Sequence, residues 1–326
     1  MRDFYIRQEQ YEREMHERVE PYLATHRQDF SVTAADGVRV CAAAYSATDP
    51  KGTVMMAHGF TESAVKYREM IYYFLRGGYS VVICDFRGHG KTAPRLDDPR
   101  LTHIEDFSLY VRDFLLLADR VRAEMSEPYF LFSHSMGGAV SALVMEERPD
   151  FFCRAALSSP MIAPARFGLP YGLAAAAVGI PCLLGLGKKT PSRLPSSGVF
   201  DDGGFAAACG TSEPRYAYYA RYRLTDPRYQ TIVPTFAWVR EAFRVTKKIL
   251  RRGAPESILT PVLLFSGDRE DVVLTPEQEK FVSRLPHGER IVVAGAKHEV
   301  YMSRDEELFP YVEKILAFFD EGIASS

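Results

Sequence analysis

The sequence predicts an α/β protein: a mostly parallel central sheet with helices on both faces and an inserted, mainly helical cap. Three observations lead there. Short, continuously apolar runs alternate with Gly-rich turns and helix-like segments, as strands covered on both faces require. The rhythm stops for about a hundred residues late in the chain and then resumes, too long a gap for a simple crossover. The 326 residues are 47% hydrophobic and 25% charged, ample for a sizeable core.

Residues 4 to 24 place Phe4, Tyr11, Met15, Val19 and Tyr22 at helical spacing on a charged background, so an amphipathic helix precedes the core. FSVTAADGVRVCAAAYS follows as a hairpin turning at Asp36-Gly37. The sheet strands are TVMMA (53–57), YSVVICD (79–85), YFLFS (129–133), RAALSS (154–159), PVLLFS (261–266) and RIVVA (290–294). Between the fourth and fifth, from Pro160 to Ser257, the chain is rich in Pro, Gly, Arg and Tyr, and YAYYARYRL and PTFAWVREAFRVTKKIL read as helices. Because strands resume afterwards, this stretch is an insertion. The expected organisation is a core in two parts, 1–159 (with the helix 4–24) and 258–326, and a cap at 160–257.

Charge and cysteines exclude several classes. Net charge is -2 with signs mixed along the chain, so the basic stripe of a nucleic-acid binder is missing. Cys41, Cys84, Cys153, Cys182 and Cys209 are odd in number and never paired as CxxC, against a disulfide framework or zinc site. Three of them sit in apolar runs and read as small buried residues. No ligand cluster or dinucleotide fingerprint appears, so no metal or organic cofactor is expected. The N-terminus is densely charged, unlike a signal peptide, which predicts a cytoplasmic protein. Phe167 to Gly187 carries no charge, but Pro170, Pro181 and five glycines interrupt it, so a mobile apolar lid is expected rather than a membrane span.

YFLFSHSMGGAVSALVMEERP holds the strongest chemical signal. A strand ends, a small-residue turn presents Ser135, and a helical pattern begins at once, the strand-turn-helix context of a nucleophile elbow in the α/β-hydrolase fold. Ser133 stands where GxSxG has glycine and is small enough to fit. The helix N-terminus then favours developing negative charge. AHGFTES, after the first strand, offers the Phe60 N–H, which with the Met136 N–H would form an oxyanion hole. His58 reads as a structural residue holding that loop, and DFRGHGKT (85–92) as another structural loop.

A hydroxyl nucleophile needs a base. Of eight histidines, only His298, in RIVVAGAKHEVYM, follows a strand near the C-terminus and completes the order Ser, acid, His. His16, His26, His103 and His287 read as surface residues, and the His134 side chain should point away from Ser135. PVLLFSGDREDVV offers Asp268, Glu270 and Asp271 as the acid. The register from Gly267 to Val273 favours Glu270; the two aspartates offer the usual residue type one or two positions away. Either carboxylate could orient the imidazole.

HGF, DFRGHG, SHSMGG and GAKHE, in this order and with this cap, resemble the α/β-hydrolase branch of bacterial lysophospholipases and monoacylglycerol lipases; the cap sequence RYAYYARYRLTDPRYQTIVPTFAWVREA is similar to the lysophospholipase side. The resemblance implies Ser135 as nucleophile, His298 as base, Phe60 and Met136 as oxyanion donors, and an acid in GDREDVV, where the family has Asp at the position of Glu270. It implies hydrolysis of a single-chain acyl ester, with a short-chain carboxylesterase, an aminopeptidase or a non-catalytic binding module as alternatives. The cap would shield the acyl chain and touch the inner face of a membrane transiently. Arg215, Arg221, Arg223 and Arg228 would face a phosphate or form a solvated cap surface. No nucleic acid and no protein partner is expected.

Overall fold

The computed structural model describes residues 3–165, 169–192 and 203–324. A 3-10 turn (Gln8–Gln10), α1 (Tyr11–Glu14), a wide π turn (Met15–Val19) and α2 (Glu20–His26) run on as one helical segment. Tyr11, Met15, Val19 and Leu23, four residues apart, are buried along its inner stripe. The segment starts later than the spacing predicts. Phe4, Tyr5 and Ile6 precede it and are buried on their own account, with Tyr5 stacked on Phe309 at 4.5 Å. Tyr22 is only half-buried; Leu23 takes the inward place.

The hairpin is β1 (Arg27–Thr33) and β2 (Arg39–Tyr45), antiparallel, with Gly37 at φ 82° in the turn. Next come β3 (Thr53–Ala57), α3 (Arg68–Arg76), β4 (Ser80–Cys84), a two-residue β5 (Leu101–Thr102), α4 (Ser108–Glu124), β6 (Tyr129–His134), α5 (Met136–Glu147) and β7 (Arg154–Ser158). The insertion holds α6 (Tyr171–Leu183), α7 (Glu213–Thr225), a two-residue β8 (Val233–Pro234) and α8 (Phe236–Ile249). The chain closes with β9 (Val262–Gly267), α9 (Thr275–Val282), β10 (Gly288–Val293) and α10 (Asp305–Ala324).

Eight strands form one sheet in the order β1-β2-β4-β3-β6-β7-β9-β10. The hairpin joins antiparallel through β2 and β4; the other six strands run parallel. Continuous apolarity has the expected cause. Met55, Ala57 and Leu131 feed a core under α4 and α5, whereas Val54, Met56, Phe130 and Phe132 feed one under α3 and α10. β10 is the exception: it is an edge strand, and Val292 is exposed. Its apolar run looks central in sequence but has a partner on one side only.

Within the insertion α6 packs on α8 through Ala174, Val178 and Phe243, and β8 pairs with β5. The expected lid begins at Phe167, and its first two residues lie outside the described ones. Pro170 caps α6 and Pro181 lies inside it, leaving a helix of 13 residues. Among the described residues no helix is long and apolar enough to cross a membrane. Of the five cysteines only Cys84 is fully buried, a correction to the three expected, because apolar neighbours in sequence need not share a covered face.

Candidate active site

Ser135 sits between β6 and α5 with φ 50° and ψ -117°, a conformation that L residues avoid at a cost of about 1–3 kcal/mol. The turn is held by Ser135 N–H donating to Ser158 O (3.1 Å) and by Gly138, Ala139 and Met161 N–H groups donating to Ser135 O. Its glycines answer to close approach. A Cβ on Gly137 would lie 2.1 Å from the Ala57 carbonyl oxygen, and one on Gly138 2.4 Å from Pro160 Cβ. The end of β3 and its following turn therefore lie directly against the start of α5.

The Ser135 hydroxyl donates to His298 Nε2 (2.9 Å), and His298 Nδ1–H donates to the two Glu270 oxygens (2.9 and 2.8 Å). Ser135 is 6% and His298 4% exposed. Glu270 Oε1 also accepts the Val272 and Val273 N–H groups (2.9 and 3.2 Å). Burial works to raise the Glu270 carboxyl, but the hydrogen bond and charge of His298, with those N–H donors, outweigh it and hold it below the ordinary value. Asp268 is exposed and accepts the Gly295 N–H (2.9 Å); Asp271 is exposed as well. Of the three carboxylates, register and not residue type sets which one meets His298.

In the turn after β3, Phe60 lies 4.1 Å from Trp238 ring to ring, and Thr61 has φ 60°. Among the described residues the Phe60 and Met136 N–H groups donate to no protein acceptor, so both remain available to a ligand oxygen. His58 accepts the Phe86 N–H at Nε2 (2.9 Å) and donates from Nδ1 to Gly59 O (2.8 Å), pinning the turn to the loop after β4. Burial lowers its pKa to about 4, so the ring stays neutral. In the 85–92 loop, Asp85 accepts the Ala64 and Lys91 N–H groups, and Arg87 pairs with Asp113 and Asp36.

The other histidines vary. His134 hydrogen-bonds Ser158 O (3.2 Å), and its ring rests 4.7 Å from that of His298, beneath the site. His89 is buried, donating from Nδ1 to Arg87 O. His16 and His287 are exposed, whereas His26 and His103 are half-buried; His103 bonds Thr235 Oγ1 (3.0 Å).

The insertion meets the loops at these strand ends. Besides Trp238, Cys209 O accepts the Glu299 N–H (2.8 Å) and Ala208 O accepts Lys297 Nζ (3.0 Å). The four arginines singled out in the insertion are each held by protein groups. Arg215 is fully buried, paired with Glu69 and Asp305 and donating to Ile6 O, which joins α7 to α3, α10 and the N-terminal segment. Arg221 pairs with Glu12, Arg223 donates to Thr231 O, and Arg228 pairs with Asp226. Both expectations for Arg215 fail because its partners come from elements distant in sequence. Glu62, Lys66 and Glu299, next to the site, went unnoticed in the sequence; the only hint was acidic residues closely following His58 and His298.

This arrangement can carry out acyl transfer: a polarised hydroxyl on a strained turn, a base oriented by a carboxylate, and two unpaired N–H groups nearby. The family model described as serine aminopeptidase, S33, matches residues 48–305. The chain is 26% identical to lysophospholipase L2 of Escherichia coli strain K12, covering 90% of this chain and 88% of that one. It is 25% identical to the monoacylglycerol lipase of Mycolicibacterium smegmatis, covering 88% and 95%. Among solved structures, a soluble variant of the Saccharomyces cerevisiae monoglyceride lipase with a substrate analog matches with TM-score 0.70 at 18% identity, covering 90% and 94%. A Bacillus coagulans carboxyl esterase in complex with glycerol matches with TM-score 0.69 at 20% identity, covering 91% and 99%. At those identities the structures speak for the α/β-hydrolase fold alone.

Proposed function

The chain belongs to the hydrolase family described as serine aminopeptidase, S33, and from that premise we propose that it is a serine hydrolase cleaving single-chain acyl esters, lysophospholipid or monoacylglycerol, through an acyl-enzyme. The observation that carries this reading is the continuous hydrogen-bonded row from Ser135 through His298 to Glu270 on a strained turn. The names of the two curated relatives support the lipid class.

Ser135 Oγ attacks the ester carbonyl while its proton passes to His298 Nε2, and Glu270 stabilises the imidazolium. The carbonyl oxygen takes its negative charge between the Phe60 and Met136 N–H groups, where one donor is worth about 10²–10³ in turnover. His298 returns the proton to the departing alcohol oxygen. Water, deprotonated by the same nitrogen, then releases the fatty acid and restores Ser135. Residues 160–257 act as the cap over the acyl chain.

α6 supports a membrane contact as part of this reading. Leu173, Ile180 and Leu183 on α6 and Leu184 just after it are 56–88% exposed, beside the exposed Lys188, Lys189, Arg244 and Lys247. An apolar stripe with a basic margin suits the surface of an anionic bilayer. The enzyme would draw substrate from the cytoplasmic face of the inner membrane.

The family description also favours an aminopeptidase, which needs a free carboxylate for the substrate ammonium. Buried Glu62 and half-buried Glu299, beside the site, are both engaged by Lys66, and Glu270 is engaged by His298. The test is a panel of lysophospholipids, monoacylglycerols, short acyl esters and amino-acyl anilides on wild type and Ser135→Ala. Long-chain single-acyl esters should be the preferred substrates. Ser135→Ala should fold, lose fluorophosphonate labelling and lose turnover by a factor on the order of 10⁶. Preference for the anilides, or activity surviving Ser135→Ala, would overturn the reading.

A further inference from the structure

Beneath Ser135 and His298 lies a buried polar cluster that the reaction scheme does not use. The Glu62 carboxylate gathers four donors. Its Oε2 accepts the Gly59 N–H (2.7 Å) and the Tyr67 hydroxyl (2.5 Å); its Oε1 accepts Lys66 Nζ (2.8 Å) and the Tyr301 hydroxyl. Lys66 Nζ continues to Glu299 Oε1 (2.5 Å), and Glu299 follows His298 in the chain. The Lys66 side chain is 7% exposed, with the rings of Tyr219 and Tyr301 5.2 and 5.7 Å from its ammonium.

Glu62, His134 and Glu299 offer ligand atoms within 4.8 Å of one another, a spacing that suits a metal ion. Here the Lys66 ammonium already bridges the two carboxylates and supplies the positive charge. Burial alone would lower the Lys66 pKa, but Glu299 and Glu62 hold it well above the ordinary range. Burial would likewise raise the Glu62 carboxyl, yet Lys66 and its other donors hold it far below. Both groups therefore stay charged, whereas burial lowers His134 to about 3 and leaves it neutral.

We infer that Lys66 is a positioning residue whose ammonium ties the turn carrying Phe60, through Glu62 and the Gly59 N–H, to the loop carrying His298, through Glu299. The inference rests on the serine-hydrolase reading above and deepens it. Glu62 holds the peptide immediately before the Phe60 N–H. A Cβ on Gly59 would come 2.6 Å from Glu62 Oε2, so the carboxylate packs directly against the turn. Without Lys66 the buried Glu62 carboxylate would face the half-buried Glu299 carboxylate uncompensated, and their repulsion would push the two loops apart. A shift of about 1 Å in such a frame costs on the order of 10² in rate. The loss should fall on kcat, since the transition-state oxyanion and the base depend on this spacing and acyl-chain binding does not.

The experiment compares Lys66→Met with wild type on a soluble ester, active sites being counted by end-point fluorophosphonate labelling. Turnover per labelled site should fall by about 10²-fold, with KM within roughly threefold of wild type. Wild-type turnover per labelled site would overturn the inference, because the defect would then be only a smaller folded fraction. A raised KM at unchanged kcat would overturn it too, placing Lys66 in substrate binding. If Lys66→Met does not fold, Glu299→Gln keeps an acceptor for Lys66 but drops the charge. It should lose about tenfold in turnover per site at unchanged KM, and an unchanged kcat overturns the inference. A wild-type protein that neither labels nor hydrolyses esters would sink the hydrolase reading together with this one.

Discussion

Glu270 is the residue at which sequence register and residue type pull apart. Its side chain is 1% exposed and receives His298 Nδ1–H and two main-chain N–H groups, while Asp268 and Asp271 are exposed. Glu270→Gln should keep the shape, remove the charge that stabilises the imidazolium, and lower kcat by about 10⁴. Asp271→Asn should leave kcat near wild type. Asp268→Asn should do the same, with a stability loss of about 1 kcal/mol at most from its weakened bond to Gly295 N–H. Steady-state kinetics on the three variants decide the matter. A large loss from either aspartate with a mild one from Glu270→Gln would be incompatible with this hydrogen-bond pattern. The sequence could count positions from Gly267 to Val273, but the choice among three neighbouring carboxylates needed the backbone path that turns one of them inward.

At the scale of elements, glycines separate the rigid turn before α5 from the exposed α6. Gly137→Ala would drive a methyl group into the Ala57 carbonyl, backbone that cannot yield, and should cost about 3 kcal/mol or more. Gly179 lies mid-helix in α6, and a methyl group added there would meet nothing within 4 Å, so Gly179→Ala should stabilise that helix by about 0.5–1 kcal/mol. Urea midpoints shifting in opposite directions are expected; a stable Gly137→Ala protein would refute the packing. Leu183, 88% exposed on α6, tests the membrane contact. Leu183→Glu should weaken binding to anionic vesicles while leaving kcat on a soluble short ester unchanged. Equal vesicle binding by both proteins would remove α6 from that role.

Over the whole molecule, buried titratable groups make stability acid-sensitive. Burial lowers His58 to about 4 and His89 and His134 to about 3, below the unfolded value of about 6.5. Between those values the unfolded chain binds more protons, so stability rises with pH and is lost as pH falls. The depressed carboxyls of Glu62 and Glu270 act in the same direction at lower pH, while Asp85 and Asp113, raised by burial, oppose them there. Near pH 5 unfolding should take up about three protons through these rings. Urea titrations between pH 5 and 7 should show the matching slope, and a flat profile would mean that the three rings are not held neutral. The same long-range assembly fixes Arg215 in the interior, where α7 meets α3, α10 and the N-terminal segment.

The sequence by itself determined the α/β class, the six parallel strands to within two residues, and the place of Ser135 on a strand-turn-helix. Those features are local: apolar runs, turn glycines and helix periods are written in consecutive residues, and burial on both faces of a parallel sheet leaves a signal in each strand. Tertiary structure alone decided which residues of distant segments meet. The burial of Arg215, the edge position of β10 and the Glu62–Lys66–Glu299 bridge all depend on through-space approach of segments far apart in the chain. A lysine or arginine destined for the interior looks in sequence like any solvated cation, because its partners are brought to it only by the fold.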